Sequence, residues 1–408
     1  MHDASLAPPA LQARRGEAAA LHAALRASRA DTLATFACYR QGLPGLRVPQ
    51  RAELNPPLWE LGHIGWFQDY WLARFPLRHE GPTADPMAPR RAPRRADADA
   101  LYNSSLVPHD TRWSLPLPDA EATCADLAHQ LAQTLALLDA SGGPGQGGDA
   151  ALYFFRLALL HEDMHHEAAL YMAQSLGIAI DDARWQPRPL PAPPAALSLV
   201  PGTWRLGYDG DGFAFDNELQ AHQVELPATL IDAQVLRWAE YLPFVESAAD
   251  DPQWWSAEGW AWRASQQAPA PRYLRRDAGT WQQWRHGRWQ PLKLSEAACH
   301  LCLHEAEAWC RWAGRRLPSE AEWERAALSH PESFRWGDVW EWTASAFAAY
   351  PGFVAHPYRD YSAPWFDGRP VLRGGSFMTQ PRMRHARYRN FFQPHRTDVP
   401  AGFRSCAA

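Results

Sequence analysis

The chain has 408 residues, 46% of them hydrophobic and 21% charged, with a formal net charge of only −5. That length and apolar content suit two or three folded cores, while the charge balance argues against a surface built for nucleic acid or an anionic membrane. No apolar run approaches the length of a bilayer span, so neither nucleic-acid nor membrane partners are expected.

The stretch Met1–Ala30 is Ala-rich and of mixed charge, without the apolar core of a secretion signal. The six cysteines are sparse and irregularly spaced, which reads as reduced thiols in a cytoplasm rather than a disulfide framework. The 36 prolines and 21 tryptophans predict irregular loops pinned by large rings.

Residues Gly16 to Tyr39 read as a first helix, with Ala18, Leu21, Leu25 and Phe36 on one stripe and Leu33 at its edge. Asn55-Pro56-Pro57 turns the chain into a second helix, Leu58 to Phe75, which carries His63. Residues 76 to 118 form a long Pro- and Arg-rich connection, of the kind that is either functional or disordered. Ala120 to Ala140 is a third helix, Ser141 to Gly148 a glycine-rich turn, and Leu152 to Leu176 a fourth helix. Four helices with mixed crossovers predict a bundle.

Trp185 to Pro194 is proline-rich and marks a boundary. Beyond it the texture changes to Gly-rich turns and short alternating segments, with one clear helix at Cys299 to Gly314. The fold class expected is therefore α+β in two domains, divided as residues 1–185, a linker at 186–196, and 197–408.

The fourth helix contains Leu160-His161-Glu162-Asp163-Met164-His165-His166-Glu167. His161 and His165 are four apart, so their imidazoles project from one face. With His63 from the second helix they make a candidate three-histidine metal site; His166 points about 100° away and is left out. Such a site suits zinc, iron, copper or nickel, and spacing does not choose among them. Glu167 is either a hydrogen-bond partner of a ligand imidazole or a solvated carboxylate.

These helices, the proline linker and a set of C-terminal segments together resemble one family. The segments are Arg315-Arg316-Leu317-Pro318-Ser319-Glu320-Ala321-Glu322-Trp323-Glu324, Val339-Trp340-Glu341-Trp342-Thr343, Leu372-Arg373-Gly374-Gly375-Ser376-Phe377, Tyr388-Arg389-Asn390-Phe391-Phe392 and Ala401-Gly402-Phe403-Arg404. The resemblance is to the non-haem iron sulfoxide synthases of ergothioneine biosynthesis and the related selenoneine synthases. It implies a DinB-like four-helix bundle followed by a domain like the formylglycine-generating enzyme, related to C-type lectins. It further implies Fe(II) on His63, His161 and His165, with hercynine, O2 and a sulfur or selenium donor as small-molecule substrates.

By the same resemblance Asn390 would meet the carboxylate end of hercynine, and Phe391 and Phe392 would wall its trimethylammonium group. One of Tyr350, Tyr358 and Tyr361 would be the proton donor, and Arg373 and Arg404 would hold the fold. Two positions depart from the thiol-using enzymes: Phe392 stands where an acidic residue holds the donor's amino group, and Met164 where a glutamine touches imidazole. The segment Leu101 to Trp113 also differs and looks closer to the selenosugar-using branch, with Tyr102, Asn103, Ser104, Asp110 and Arg112 as candidate sugar contacts or plain turn residues. Selenoneine formation is thus the favoured reading, ahead of an ergothioneine-type synthase using γ-glutamylcysteine or cysteine. A formylglycine-generating oxidase is disfavoured because only Cys406 lies late in the chain, and a non-catalytic binding module stands as the remaining class.

Overall fold

Helix formation in the first half follows the apolar spacing closely. The structure is a computed structural model and describes residues 8–141, 148–268 and 270–408, so most of the expected Ser141–Gly148 turn lies outside the described residues. Helices α1 (Pro8–Arg15), α2 (Ala18–Gly42), α3 (Pro57–Gln68), α4 (Ala98–Tyr102), α5 (Ala120–Ser141) and α6 (Asp149–Leu176) make up the N-terminal part. Helix α6 opens with Asp149 in its first turn and stops at Gly177, whose φ of 73° is the left-handed conformation that glycine adopts without steric cost.

Three details depart from the sequence reading. Helix α1 has no counterpart in the sequence reading, because its buried residues Ala10, Ala13 and Arg14 include no large apolar side chain to register as a stripe. The second helix is not uniform: α3 gives way to a π-helical turn at Asp69–Ala73. The 76–118 connection is ordered rather than loose. The Arg90 guanidinium lies 3.7 Å from the Phe75 ring centroid and 4.5 Å from that of Tyr70, and Arg74 donates to both carboxylate oxygens of Asp99 at 2.7 and 2.8 Å.

Residues 186–196 run without helix or strand but are pinned by buried Leu190, whose N–H donates to the Ser295 carbonyl at 2.7 Å. The C-terminal part contains β1 (Leu197–Leu199), β2 (Gly202–Leu206), β3 (His222–Leu226), β4 (Thr229–Ile231), α7 (Trp238–Ser247), α8 (Ala257–Ser265), β5 (Leu274–Asp277), β6 (Thr280–Arg285) and β7 (Arg288–Pro291). It continues with α9 (Leu303–Trp312), β8 (Arg315–Arg316), α10 (Glu320–Ser329), β9 (Trp340–Ala346), β10 (Pro370–Arg373), β11 (Asn390–Phe391), β12 (Ala401–Gly402) and β13 (Cys406–Ala407).

The strands form small sheets ordered β1-β4-β13-β8 and β11-β10-β9-β12, the hairpin β2-β3 and the meander β5-β6-β7. The only expected helix here, Cys299–Gly314, is shorter than read: Cys302 precedes α9, and its N–H donates to Glu305 at 2.8 Å. Helix α10 went unread although Ser319-x-x-Glu322 is a capping box, with the Ser319 N–H donating to Glu322 at 2.7 Å. Arg373 pairs with Glu324 at 2.7 Å and Arg404 with Glu341 at 2.8 Å, both fully buried, in the fold-holding role expected.

The two parts are joined by buried polar pairs. Arg14 meets Glu218 at 2.8 and 2.9 Å, Arg382 meets Asp163 at 2.8 and 3.0 Å, and Glu167 accepts from Trp340, Ser376 and Thr379 at 2.7 to 2.8 Å. Inside the bundle, buried Arg29 donates to Glu162 at 2.7 and 3.2 Å, and Gln68 donates to the same carboxylate at 2.9 Å. Removing one partner of a buried pair strands the other charge. Arg29→Ala is therefore expected to destabilise the protein by about 3–5 kcal/mol in urea unfolding, and Arg29→Met/Glu162→Leu to recover a large part of that loss.

Candidate metal centre

Helices α3 and α6 pack side by side, and three imidazoles converge between them. The ligand atoms of His63, His161 and His165 all lie within 4.8 Å of one another, with ring centroids 4.5 to 5.1 Å apart. His63 and His161 are buried and His165 is about one-fifth exposed.

The orientation of two rings is fixed by partners of known polarity. His63 Nδ1 sits 2.8 Å from the Tyr102 carbonyl, which can only accept, so Nδ1 carries the hydrogen and Nε2 keeps its lone pair. His165 Nδ1 sits 2.6 Å from Glu60 Oε2 and is fixed in the same sense. Burial pushes the Glu60 carboxyl upward, but the adjacent His165, with His63 and Arg112 nearby, outweighs it and leaves the group below its usual range. His161 makes no hydrogen bond within the described residues.

Burial, reinforced by the neighbouring His165, depresses His63 to about 3 and His161 well below the ordinary imidazole value. Both rings are therefore neutral near pH 7, the form that donates a lone pair to a metal. Aromatic faces clamp them: Trp59 stacks on His63 at 4.8 Å with 10° between planes, and Phe67 on His161 at 3.6 Å with 7°.

Of the three candidate tyrosines, Tyr358 lies beside the triad, its ring 5.0 Å from Phe67 and 6.1 Å from His161. Burial raises its phenol, so it holds its proton. Tyr361 lies 6.1 Å behind Tyr358 and its hydroxyl is 2.9 Å from that of Tyr388. Tyr350 is elsewhere: its hydroxyl donates to Glu320 at 3.2 Å and its ring lies under Arg389 at 3.9 Å, which removes it from the group around the histidines.

The other candidates are spread around this centre. Met164 is half-buried, with its sulfur 3.5 Å from the Tyr388 hydroxyl. Asn390 Oδ1 accepts from the Phe391 N–H at 2.9 Å, Phe391 stacks on Phe347 at 4.1 Å, and Phe392 lies under Arg396 at 5.2 Å. Arg112 covers Trp59 at 3.7 Å and donates to Asn55 at 2.8 Å.

Tyr102 acts through its backbone. Its ring packs over Gly62, where an added Cβ would lie 2.1 Å from ring carbon, so only glycine admits this approach. Its hydroxyl is thus not available as a sugar contact at the triad. Asn103 closes a turn onto the Ser105 N–H at 3.1 Å, and Asp110 is exposed; Ser104 makes no contact that ties it to the triad.

Two readings of the sequence are corrected. Glu167 is neither a partner of a ligand imidazole nor solvated; it is buried and spent on the C-terminal part through Trp340, Ser376 and Thr379. The carboxylate that does hold a ring is Glu60, which the sequence reading does not single out. Its signal was its place three residues before His63 on the same helix, which sets it one turn away on the face turned toward α6.

Comparison with known proteins bears on the architecture of the whole chain. The family described as a sulfatase-modifying factor enzyme 1-like domain matches residues 182–338 and 335–408. The hercynine oxygenase of Mycolicibacterium smegmatis is 31% identical, covering 86% of this chain and 90% of that protein. The hercynine oxygenase of Mycobacterium tuberculosis is 29% identical over the same shares. The formylglycine-generating enzyme of Bos taurus is 28% identical over 36% of this chain and 44% of its own length. Since the relationship to the first two spans the helical and the C-terminal parts alike, the chain belongs to the hercynine oxygenase family of enzymes, a helical N-terminal region joined to a sulfatase-modifying-factor-type domain.

Proposed function

We propose that His63, His161 and His165 bind Fe(II), and that the protein uses O2 to join selenium, from a selenosugar, to the imidazole C2 of hercynine. The observation that carries the metal assignment is the fixing of two Nδ1 hydrogens away from the centre, onto Tyr102 and Glu60, with the buried His161 imidazole beside them left without a hydrogen-bond partner among the described residues. Neutral imidazoles without a carboxylate among them suit a divalent first-row ion. Bound there, Fe(II) supplies one-electron chemistry with O2 and a common anchor that makes the coupling of two substrates effectively unimolecular.

The chain's own residues supply the rest. Glu60 and Tyr102 hold the ring orientations, and Trp59 and Phe67 exclude water from their faces. Tyr358, with its ring 6.1 Å from that of His161 and its phenol protonated, is the tyrosine we assign as proton donor, and behind it the Tyr361 and Tyr388 hydroxyls are hydrogen-bonded to each other. Joining C2–H and Se–H releases two electrons and two protons, which O2 accepts. Phe392 in place of a carboxylate favours a donor that lacks an amino-acid head group, and Met164 in place of an amide is a second departure from the thiol-using enzymes. The second reading, a thiol donor, is favoured by the kinship with proteins called hercynine oxygenases. The six cysteines are all free, as thiols kept in a reducing cytoplasm are.

His161→Ala is expected to lose iron in anaerobic Fe(II) titration while keeping its circular dichroism; an iron-replete, active variant would sink the triad. Glu60→Gln is expected to weaken Fe(II) binding by about 10–100-fold with the fold intact. Under air, the Fe(II)-loaded enzyme given hercynine with equal 1-selenoglucose, γ-glutamylcysteine and cysteine is expected to yield a selenium adduct by mass spectrometry. A sulfur adduct in its place overturns the donor assignment, and untouched hercynine overturns the substrate.

A further inference from the structure

On the face of α6 opposite His161, where Asp163 points, the two parts of the chain enclose a groove of about 640 Å³. It is walled by α2, the linker after α6, the turn before β9 and the loop after β10. That volume lies within the range of small-molecule sites, about 300–1,000 Å³. Five arginines line it against two aspartates.

The aspartates do not neutralise all five. Asp31 is shared by Arg184 at 2.9 Å and Arg382 at 3.9 Å; Arg184 also takes Asp182 at 2.6 Å, and Arg382 also takes Asp163 at 2.8 Å. Asp338 is held by Arg335 at 3.0 Å. Arg188 and Arg384 are left, and among the described residues neither forms an ion pair. Arg384 is spent only on two carbonyls, Thr379 at 3.2 Å through Nε and Ser376 at 2.9 Å through Nη2, leaving Nη1 without a protein hydrogen bond. Burial, together with the like charge of Arg188, drives the Arg384 guanidinium below its ordinary value, although Glu167 and Asp338 pull the other way. Two like charges brought together at the mouth of a cavity raise each other's energy unless an anion joins them. The half-buried indole of Trp336 completes the wall beside them.

We propose that this groove is a second binding site, distinct from the histidine centre, for a phosphate-bearing small molecule held by Arg188 and Arg384. Guanidinium forks match phosphate oxygens in pairs, and a doubly charged group balances the two unpaired cations. The groove is much larger than a lone phosphate, so the phosphate is read as one end of a larger molecule, with Trp336 available to its remainder. The net charge of −5 keeps the basic character local, which suits a small ligand rather than a nucleic acid. The site stands independently of the metal assignment, since no residue in it touches the three histidines.

Isothermal titration of the full chain at low salt, with orthophosphate, pyrophosphate, ADP and acetate, tests this. Pyrophosphate or ADP is expected to bind saturably, at least about tenfold more tightly than acetate, and Arg188→Gln to weaken that binding by about tenfold or more. Arg188 is exposed and unpaired, so this variant is expected to fold normally; Arg384→Gln serves as the second variant, and Arg205→Gln, an exposed arginine paired with Asp209, as the control that keeps wild-type affinity. ADP binding more tightly than pyrophosphate would identify the ligand as a nucleotide-like ester, and equal affinity would identify recognition of the phosphates alone. No saturable binding by the wild-type chain, or unchanged affinity in both groove variants, would overturn the proposal.

Discussion

The structure depends on one stretch of buried polarity, residues 161 to 167 of α6. Every side chain there but Met164 is ionisable, and all except the partly exposed Met164 and His165 are buried. Such groups are tolerated in a core only when each is matched. Glu162 is matched by Arg29 and Gln68 within the bundle. Asp163 is matched by Ser28 and by Arg382 from the C-terminal part, His166 by Thr35 and Gln380, and Glu167 by Trp340, Ser376 and Thr379. The same two turns of helix thus carry the histidine pair and fasten the two parts of the chain together.

That arrangement explains why the triad can be largely buried and still ordered. The rings of His63 and His165 are aimed by Tyr102 and Glu60, and the stacked faces of Trp59 on His63 and of Phe67 on His161 leave those two rings little freedom to rotate. Groups oriented before a ligand arrives need little reorganisation when it binds, which is where a low-dielectric site gains over water. The close approach of α4 to α3 that brings the Tyr102 carbonyl to His63 is possible because residue 62 has no Cβ.

Much of this was legible in the sequence, for identifiable reasons. The long helices declared themselves through 3.6-residue spacing of large apolar side chains, and His161/His165 through their i, i+4 separation. Helix α1 escaped because two alanines and an arginine, Arg14, form its buried face, and α10 because its capping box lies inside a motif that carries the family resemblance. Glu60 escaped because its partner, His165, is 105 positions away, a pairing no local pattern encodes. The role of Glu167 is hidden in the sequence for the same reason: its three partners come from residues 340 to 379. Tyr358 was separable from Tyr350 and Tyr361 only once the chain was folded.

The measurement that bears most directly on this account is Fe K-edge X-ray absorption of the anaerobically iron-loaded full chain. The geometry calls for a nitrogen-and-oxygen shell with multiple scattering from three imidazoles, reduced to two in the His161→Ala variant under forced loading. Sulfur scattering, or a wild-type spectrum with no more than one imidazole, would show that the metal sits somewhere other than His63, His161 and His165.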